Sequence, residues 1–309
     1  MLSLILAAAL LSDPVATPVT LLTEPVPLHG TLLTPGGPTH AVALIIAGSG
    51  PTDRDGNSPL GVSASTYRLL AEGLAARGVA TVRTDKRGIA GSAAAGGREE
   101  DLRFGHLVED ARAWAAATAE RTGQPCVWLI GHSEGALVAL AAVEDDQEMV
   151  CGLVLLSGAG RRARVVLEEQ LGPQLPEPMR TQAFHALAEL EAGRTVADTP
   201  PALAALFRPS VQPYLISWLA LDPAALTAGY DGPVMVGSGT TDIQTPVVEA
   251  EALAAARAGV HLVLWNGVNH LLKIAPADRA ANIATYSDQT LPLAPGIVED
   301  LAGFILQPR

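Results

Sequence analysis

CVWLIGHSEGALVAL, residues 126–140, decides how the rest of the chain is read. An apolar run, Val127 to Ile130, leads through Gly131-His132-Ser133-Glu134-Gly135 into a stretch of small and aliphatic residues, Glu134 to Val143. A G-x-S-x-G sequence is common by itself, but between a strand and a helix it specifies a sharp turn with its serine at the tip. The turn strains the backbone of its central residue. Flanking glycines permit this because a Cβ on either would collide with neighbouring chain. Ser133 is therefore the candidate nucleophile, and the helix N-terminus behind it favours developing negative charge.

Outward from this turn the chain alternates strand and helix. Val19 to Thr23 and Leu28 to Thr34 read as two strands of a hairpin. Ala41 to Ala47 (AVALIIA) is continuously apolar, as befits a strand covered on both faces. Helix is predicted over Tyr67 to Arg77, Asp101 to Arg121, Pro246 to Ala258 and Ile297 to Leu306. Strands are predicted at Val79 to Arg83, Leu153 to Leu156, Val234 to Val236 and His261 to Leu264. This alternation implies an α/β fold with a mostly parallel sheet and helices on both faces. Residues 161–230 break the rhythm. They contain no convincing strand, and their helix-like pieces (Val165 to Leu171, Met179 to Ala192, Pro201 to Phe207, Val211 to Leu221) are separated or opened by prolines. About seventy residues is too long for one crossover, so this segment is expected to be a helical insertion. The expected division is a core of residues 18–160 and 231–309, a helical cap of 161–230, and an N-terminal segment of 1–17.

Serine at neutral pH needs a base. In this architecture the order is nucleophile, acid, then histidine. Of the seven histidines, only His261 and His270 lie beyond both Ser133 and the insertion. His261 opens a strand, whereas His270 follows it on a loop at the strand's C-terminal end, where catalytic groups collect. His270 is thus the expected base. Asp242, in VMVGSGTTDIQTP, occupies the loop after the preceding strand and is the expected acid. Asp222 in LALDPAAL has the look of a helix N-cap instead. The oxyanion hole is expected from the N–H of Glu134 and from the loop Gly48-Ser49-Gly50-Pro51, with Ser49 the first choice and Gly50 the second.

With these residues in place, the chain resembles the α/β-hydrolase superfamily, and within it bacterial serine esterases that carry GSGPTDRDGN after the third strand. Here that segment runs from Gly48 to Asn57. The likeness extends to Asp85-Lys86-Arg87-Gly88, the GHSEG turn, LFRPSVQPYLISWLALDP (206–223), Asp242-Ile243-Gln244 and Asn269-His270. It implies an eight-stranded sheet, a helical cap over the active site, no metal or other cofactor, and hydrolysis of carboxylic esters. The substrate pocket is expected to draw on Phe184, Leu203, Phe207, Tyr214 and Trp218, although the same residues suit the core of the insertion. Aromatics are 4% of the chain, which favours an aliphatic pocket and small to medium acyl groups. A peptidase, an acyltransferase or a thioesterase would use the same triad, and a non-catalytic binding protein would share only the fold. Glu168, Glu169, Glu189 and Glu191 are the acids in the cap that a peptidase could use to anchor a substrate amine.

Asp53, Arg54 and Asp55 lack the glycine and glutamate spacing of a calcium loop. They are expected to brace the oxyanion loop through Asp53 or Asp55 with Arg87. Gly48-Ser49-Gly50 begins like a dinucleotide fingerprint, but Asp53 stands where its third glycine belongs.

Composition narrows the remaining choices. The 309 residues are 49% hydrophobic and 17% charged, with a net charge of −12 and only two lysines, Lys86 and Lys273. Mean hydropathy is +0.28. Such a chain has ample core and is not disordered. Without a basic run it does not suit nucleic acid. Its partner is expected to be a small-molecule ester, and nothing in it sets an oligomeric state. Cys126 and Cys151 are either two buried thiols or one disulfide between neighbouring strands. Leu2 to Leu11 has the length of a signal-peptide apolar region and is too short to span a bilayer. No Lys or Arg precedes it, and Pro14 sits poorly before a cut at Ala16. Two locations stay open: periplasmic or secreted if residues 2–11 act as a leader, cytoplasmic otherwise. No other segment is apolar enough for a stable membrane insertion.

Overall fold

The fold is a computed structural model describing residues 12–145 and 148–308. The apolar stretch 2–11 lies outside them. Eight strands among the described residues form one sheet: β1 Val15–Leu21, β2 Leu28–Thr34, β3 Ala41–Ile46, β4 Val79–Thr84, β5 Val127–His132, β6 Val150–Leu156, β7 Val234–Gly239 and β8 His261–Trp265. Their order is β1-β2-β4-β3-β5-β6-β7-β8. The β1–β2 hairpin is antiparallel, as is β2 against β4, and every pairing from β4 to β8 is parallel.

The apolar runs are explained by this burial. Every residue of β3, β5 and β7 is buried. Side chains alternate across a strand, so one run supplies two cores. Val42, Leu44 and Ile46 enter a cluster with Phe104, Trp114 and Leu137. Ala43 and Ile45 enter the opposite one with Tyr67, Leu70 and Trp128. The covering helices are α1 Thr66–Ala75, α2 Phe104–Thr122 and α3 Glu134–Ala142. From Gly135 to Ala142, α3 is buried all round, which its small residues allow.

Between β6 and β7 come α4 Ala163–Leu171, α5 Met179–Glu191, α6 Ala204–Phe207, α7 Gln212–Leu219 and α8 Pro223–Gly229. The first four build a separate apolar cluster around Leu187, Leu190, Phe207 and Leu219. Asp222 caps α8 by accepting the Ala225 N–H at 3.2 Å. The chain closes with α9 Val247–Ala255, α10 Arg279–Ala284 and α11 Ile297–Ile305. No helix among the described residues is long and apolar enough to cross a membrane.

Cys126 and Cys151 are joined as a disulfide, with Cα atoms 5.1 Å apart. The register between β5 and β6 shifts here, pairing Val127 with Val150 but Trp128 with Gly152. Cys151 is the extra residue on its strand. The bond lies at the end of β5 remote from Ser133.

Candidate active site

Ser133 sits between β5 and α3 with φ 55° and ψ −121°. The left-handed φ is disfavoured for a residue with a Cβ, by about 1–3 kcal/mol, and must be imposed by its surroundings. The surroundings here are tight. A Cβ at Gly131 would stand 2.2 Å from the Gly135 carbonyl oxygen, and one at Gly135 would stand 2.3 Å from that of Ile46. The Ser133 N–H donates to Leu156 O on β6 at 2.8 Å, tying the turn to the sheet.

The loop after β7 carries Asp242. Its Oδ1 accepts the N–H groups of Gln244 at 2.8 Å and Thr245 at 3.0 Å. Its Oδ2 lies 2.8 Å from both the Thr245 hydroxyl and His270 Nδ1. Burial acts to raise the Asp242 carboxyl, but the charge and hydrogen bond of His270, with the two N–H donors, outweigh it and hold the group below the usual carboxylate range. His270 follows β8 in a turn built by the fully buried Asn269. The Asn269 Oδ1 accepts the N–H groups of Leu271 at 3.0 Å and Lys273 at 3.1 Å, and its Nδ2 donates to the Thr285 hydroxyl at 2.8 Å. Asp242 and His270 are therefore brought together, and His270 shares a cavity with Ser133. His261 does not join them. It starts β8 and stacks on Phe304, ring centroids 5.6 Å apart.

Gly48, Ser49 and Gly50 border that cavity, of about 230 Å³, together with Tyr286. A second cavity of about 160 Å³ also reaches Ser133, lined by Ser49, Glu134, Leu137, Val166 and Trp218. Gly48 passes close to the serine, since a Cβ there would lie 3.1 Å from that of Ser133. The expected pocket residues divide. Trp218 lines the cleft, and the Tyr214 hydroxyl donates to Glu134 Oε1 at 2.7 Å. Phe207 and Leu203 do not line it. Both are buried in the cluster of the helical segment, with Phe184 packed against the same cluster, because that segment needs a core of its own. The acids of residues 161–230 are occupied as well: Glu169 by Arg161, which also holds the buried Glu249 of α9, Glu189 by Arg194, and Glu168 and Glu191 by Arg164.

The bracing of the loop after β3 differs from expectation. Arg87 pairs with Asp110 on α2, at 2.6 and 2.7 Å, and not with Asp53 or Asp55. The partners come instead from β4, the strand beside β3, and from the residue that follows it. Arg83 pairs with Asp55, and Asp85 takes the Arg54 N–H at 2.8 Å and its Nε at 2.9 Å. Asp53 folds the loop on itself, accepting the N–H groups of Asp55 at 2.9 Å and Asn57 at 2.8 Å.

Three residues at the site were given no role from sequence. Tyr67 on α1 accepts the Gly48 N–H at 3.0 Å and bonds His132 Nδ1 at 2.9 Å. His132 Nε2 in turn bonds the His270 carbonyl at 2.8 Å. Lys86 Nζ donates to the Gly48 carbonyl. His132, beside the nucleophile and amid apolar residues, carried a readable signal of burial, and Lys86 stood out as one of two lysines. Tyr67 carried none.

Comparison with known proteins identifies the family. The model of the family described as "Serine aminopeptidase, S33" matches residues 60–297. The chain belongs to that family. No functionally curated protein matches the S33-family chain by sequence. Among solved structures, Est1E from Butyrivibrio proteoclasticus is 15% identical, with 94% of this chain and 97% of that one covered and a TM-score of 0.56. A dienelactone hydrolase from Anabaena variabilis is 17% identical, with 95% and 97% covered and a TM-score of 0.56. The esterase domain of a Rhodothermus marinus protein is 18% identical, with 88% and 95% covered and a TM-score of 0.53. At these identities the likeness is one of fold: the S33-family chain is an α/β-hydrolase with an eight-stranded, mostly parallel sheet.

Proposed function

We propose that this hydrolase is a serine carboxylesterase acting through an acyl-enzyme. The observation that carries the reading is the Asp242–His270 pair, bonded through Nδ1, in one cavity with a serine on a strained turn. With Nδ1 engaged by the carboxylate, His270 Nε2 is left to take the Ser133 proton as Oγ attacks the acyl carbon. The tetrahedral oxyanion rests on the N–H groups of Ser49 and Glu134, with Gly50 the alternative donor on the loop. His270 then protonates the departing alcohol and activates the water that releases the acid. Asp242 fixes the imidazole tautomer and stabilises its charged form without taking the proton. The chemistry calls on no metal or other cofactor.

Residues 161–230 are read as a cap. The cavity beside Leu137, Val166 and Trp218 is the acyl site, and its about 160 Å³ favours small to medium acyl groups. The partner is a small-molecule ester. The disulfide favours an oxidising compartment, periplasmic or extracellular.

A fluorophosphonate probe should label the wild-type chain and leave Ser133→Ala unlabelled at equal fold stability. Labelling of the variant would overturn the assignment of Ser133. A panel of p-nitrophenyl esters of increasing chain length, aminoacyl anilides and acyl thioesters then separates the reaction classes. Turnover is expected on the short esters, and preference for the anilides would make the chain a peptidase. The pairing of Glu168, Glu169, Glu189 and Glu191 with arginines weighs against an amine anchor in the cap.

A further inference from the structure

A trans peptide points its C=O and the following N–H in opposite directions. The carbonyl of Gly48 and the N–H of Ser49 belong to one such unit, so whatever holds the first aims the second. Lys86, two residues past the end of β4, places its Nζ on the Gly48 carbonyl. The preceding peptide is held as well, since the Gly48 N–H donates to the Tyr67 hydroxyl at 3.0 Å. Gly48 is thus clamped at both its polar atoms by side chains from two different segments, the loop after β4 and helix α1, directly before the loop residue that lines both cavities at Ser133.

We infer that Lys86 is a positioning residue of the oxyanion hole: its ammonium, bound to the Gly48 carbonyl, aims the Ser49 N–H at the acyl oxygen and polarises it as a donor. This rests on the ester-hydrolase reading above. A hydrogen bond accepted at a carbonyl strengthens the donor at the other end of the same amide, and a charged partner does so more than a neutral one. The gain matters most in the transition state, when the oxygen bears full charge, because a donor oriented in advance needs no reorganisation at that moment. Lys86 is half-buried, and desolvation lowers its ammonium from the usual lysine value while Glu134 acts in the opposite sense. Lys86 touches no substrate atom in this scheme and acts through the peptide it holds.

The test compares wild type with Lys86→Met on p-nitrophenyl acetate and with a trifluoromethyl ketone, which forms a tetrahedral adduct on Ser133. The expected result is a fall in kcat of about 10- to 100-fold, short of the roughly 100- to 1000-fold for outright loss of a donor. The ketone should weaken by the same factor while KM stays within about threefold. Lys86→Arg, which keeps a cationic donor, should restore most of kcat. Should Lys86→Met fail to fold, Lys86→Ala with added n-propylammonium replaces it, and kcat should rise with the amine. A kcat within about threefold of wild type in Lys86→Met, or no response of Lys86→Ala to the amine, overturns the inference while wild-type ester turnover leaves the esterase reading intact. Absence of ester turnover in the wild type overturns both.

Discussion

His132 Nε2 lies 2.8 Å from the carbonyl oxygen of His270, so the residue before the proposed nucleophile is bonded to the main chain of the proposed base. A carbonyl only accepts, so Nε2 carries the proton and Nδ1 is left to accept the Tyr67 hydroxyl. His132 is therefore a neutral spacer between Tyr67 and His270. Its burial, and secondarily the charge of His270, push its pKa down to about 3. Unfolded imidazole takes up its proton near about 6.5. Between those values the unfolded chain binds more protons, so stability falls as pH falls, at up to about 1.4 kcal/mol per pH unit. Going from pH 7 to pH 5 should cost about 2 kcal/mol from this group alone. Urea titrations at the two pH values check this: the difference should shrink by that amount in His132→Gln, and an unchanged difference would exclude the group as its source.

Asp242 receives two N–H groups at Oδ1 and His270 at Oδ2. Asp242→Asn keeps the shape but offers His270 Nδ1 an amide, which favours the wrong tautomer. By analogy with other triads, kcat should fall about 10⁴-fold while the melting temperature changes little. A loss below about tenfold in steady-state ester hydrolysis would remove Asp242 from the proposed triad.

Gly131 has no room for a methyl group, with the Gly135 carbonyl 2.2 Å from where its Cβ would stand. Backbone is the obstacle on that side, so the turn itself must open. Gly131→Ala should lower stability by about 3 kcal/mol and reduce fluorophosphonate labelling of the protein that still folds. Chemical denaturation that matches wild type would show the turn to be looser than this packing implies.

The disulfide spans 25 residues of sequence and joins β5 to β6 at the end of the sheet away from Ser133. Closing a loop of that size stabilises a fold by about 3 kcal/mol. Dithiothreitol should therefore lower the melting temperature, yet leave ester turnover at 25 °C within about twofold. Equal melting curves with and without reductant would show the bond to be energetically idle.

Much of the scaffold was readable because it is local. Apolar runs at β3 and β5, and small residues on both sides of Ser133, follow from neighbours in sequence. Chain order then brought Asp242 and His270 forward. Contacts across the fold were not readable in the same way. Arg83 and Asp55 are far apart in the chain, and nothing near Arg87 announces that α2 supplies its partner Asp110. Phe207 was equally suited to the pocket and to the core, and only the packing of α4 to α7 puts it in the latter. Helices α8 and α10 are too short, at seven and six residues, to show a helical period in the sequence.

The two lysines end on main-chain oxygens, Lys86 on Gly48 and Lys273 on Leu291, the latter with no exposed surface. The other basic residues are arginines and histidines. Reagents that attach through primary amines, such as succinimidyl dyes, glutaraldehyde and amine-coupled sensor surfaces, thus find both lysine side chains already engaged. Labelling of lysines by that chemistry should be sparse, and whatever dye does reach Lys86 will do so at the expense of the loop it holds.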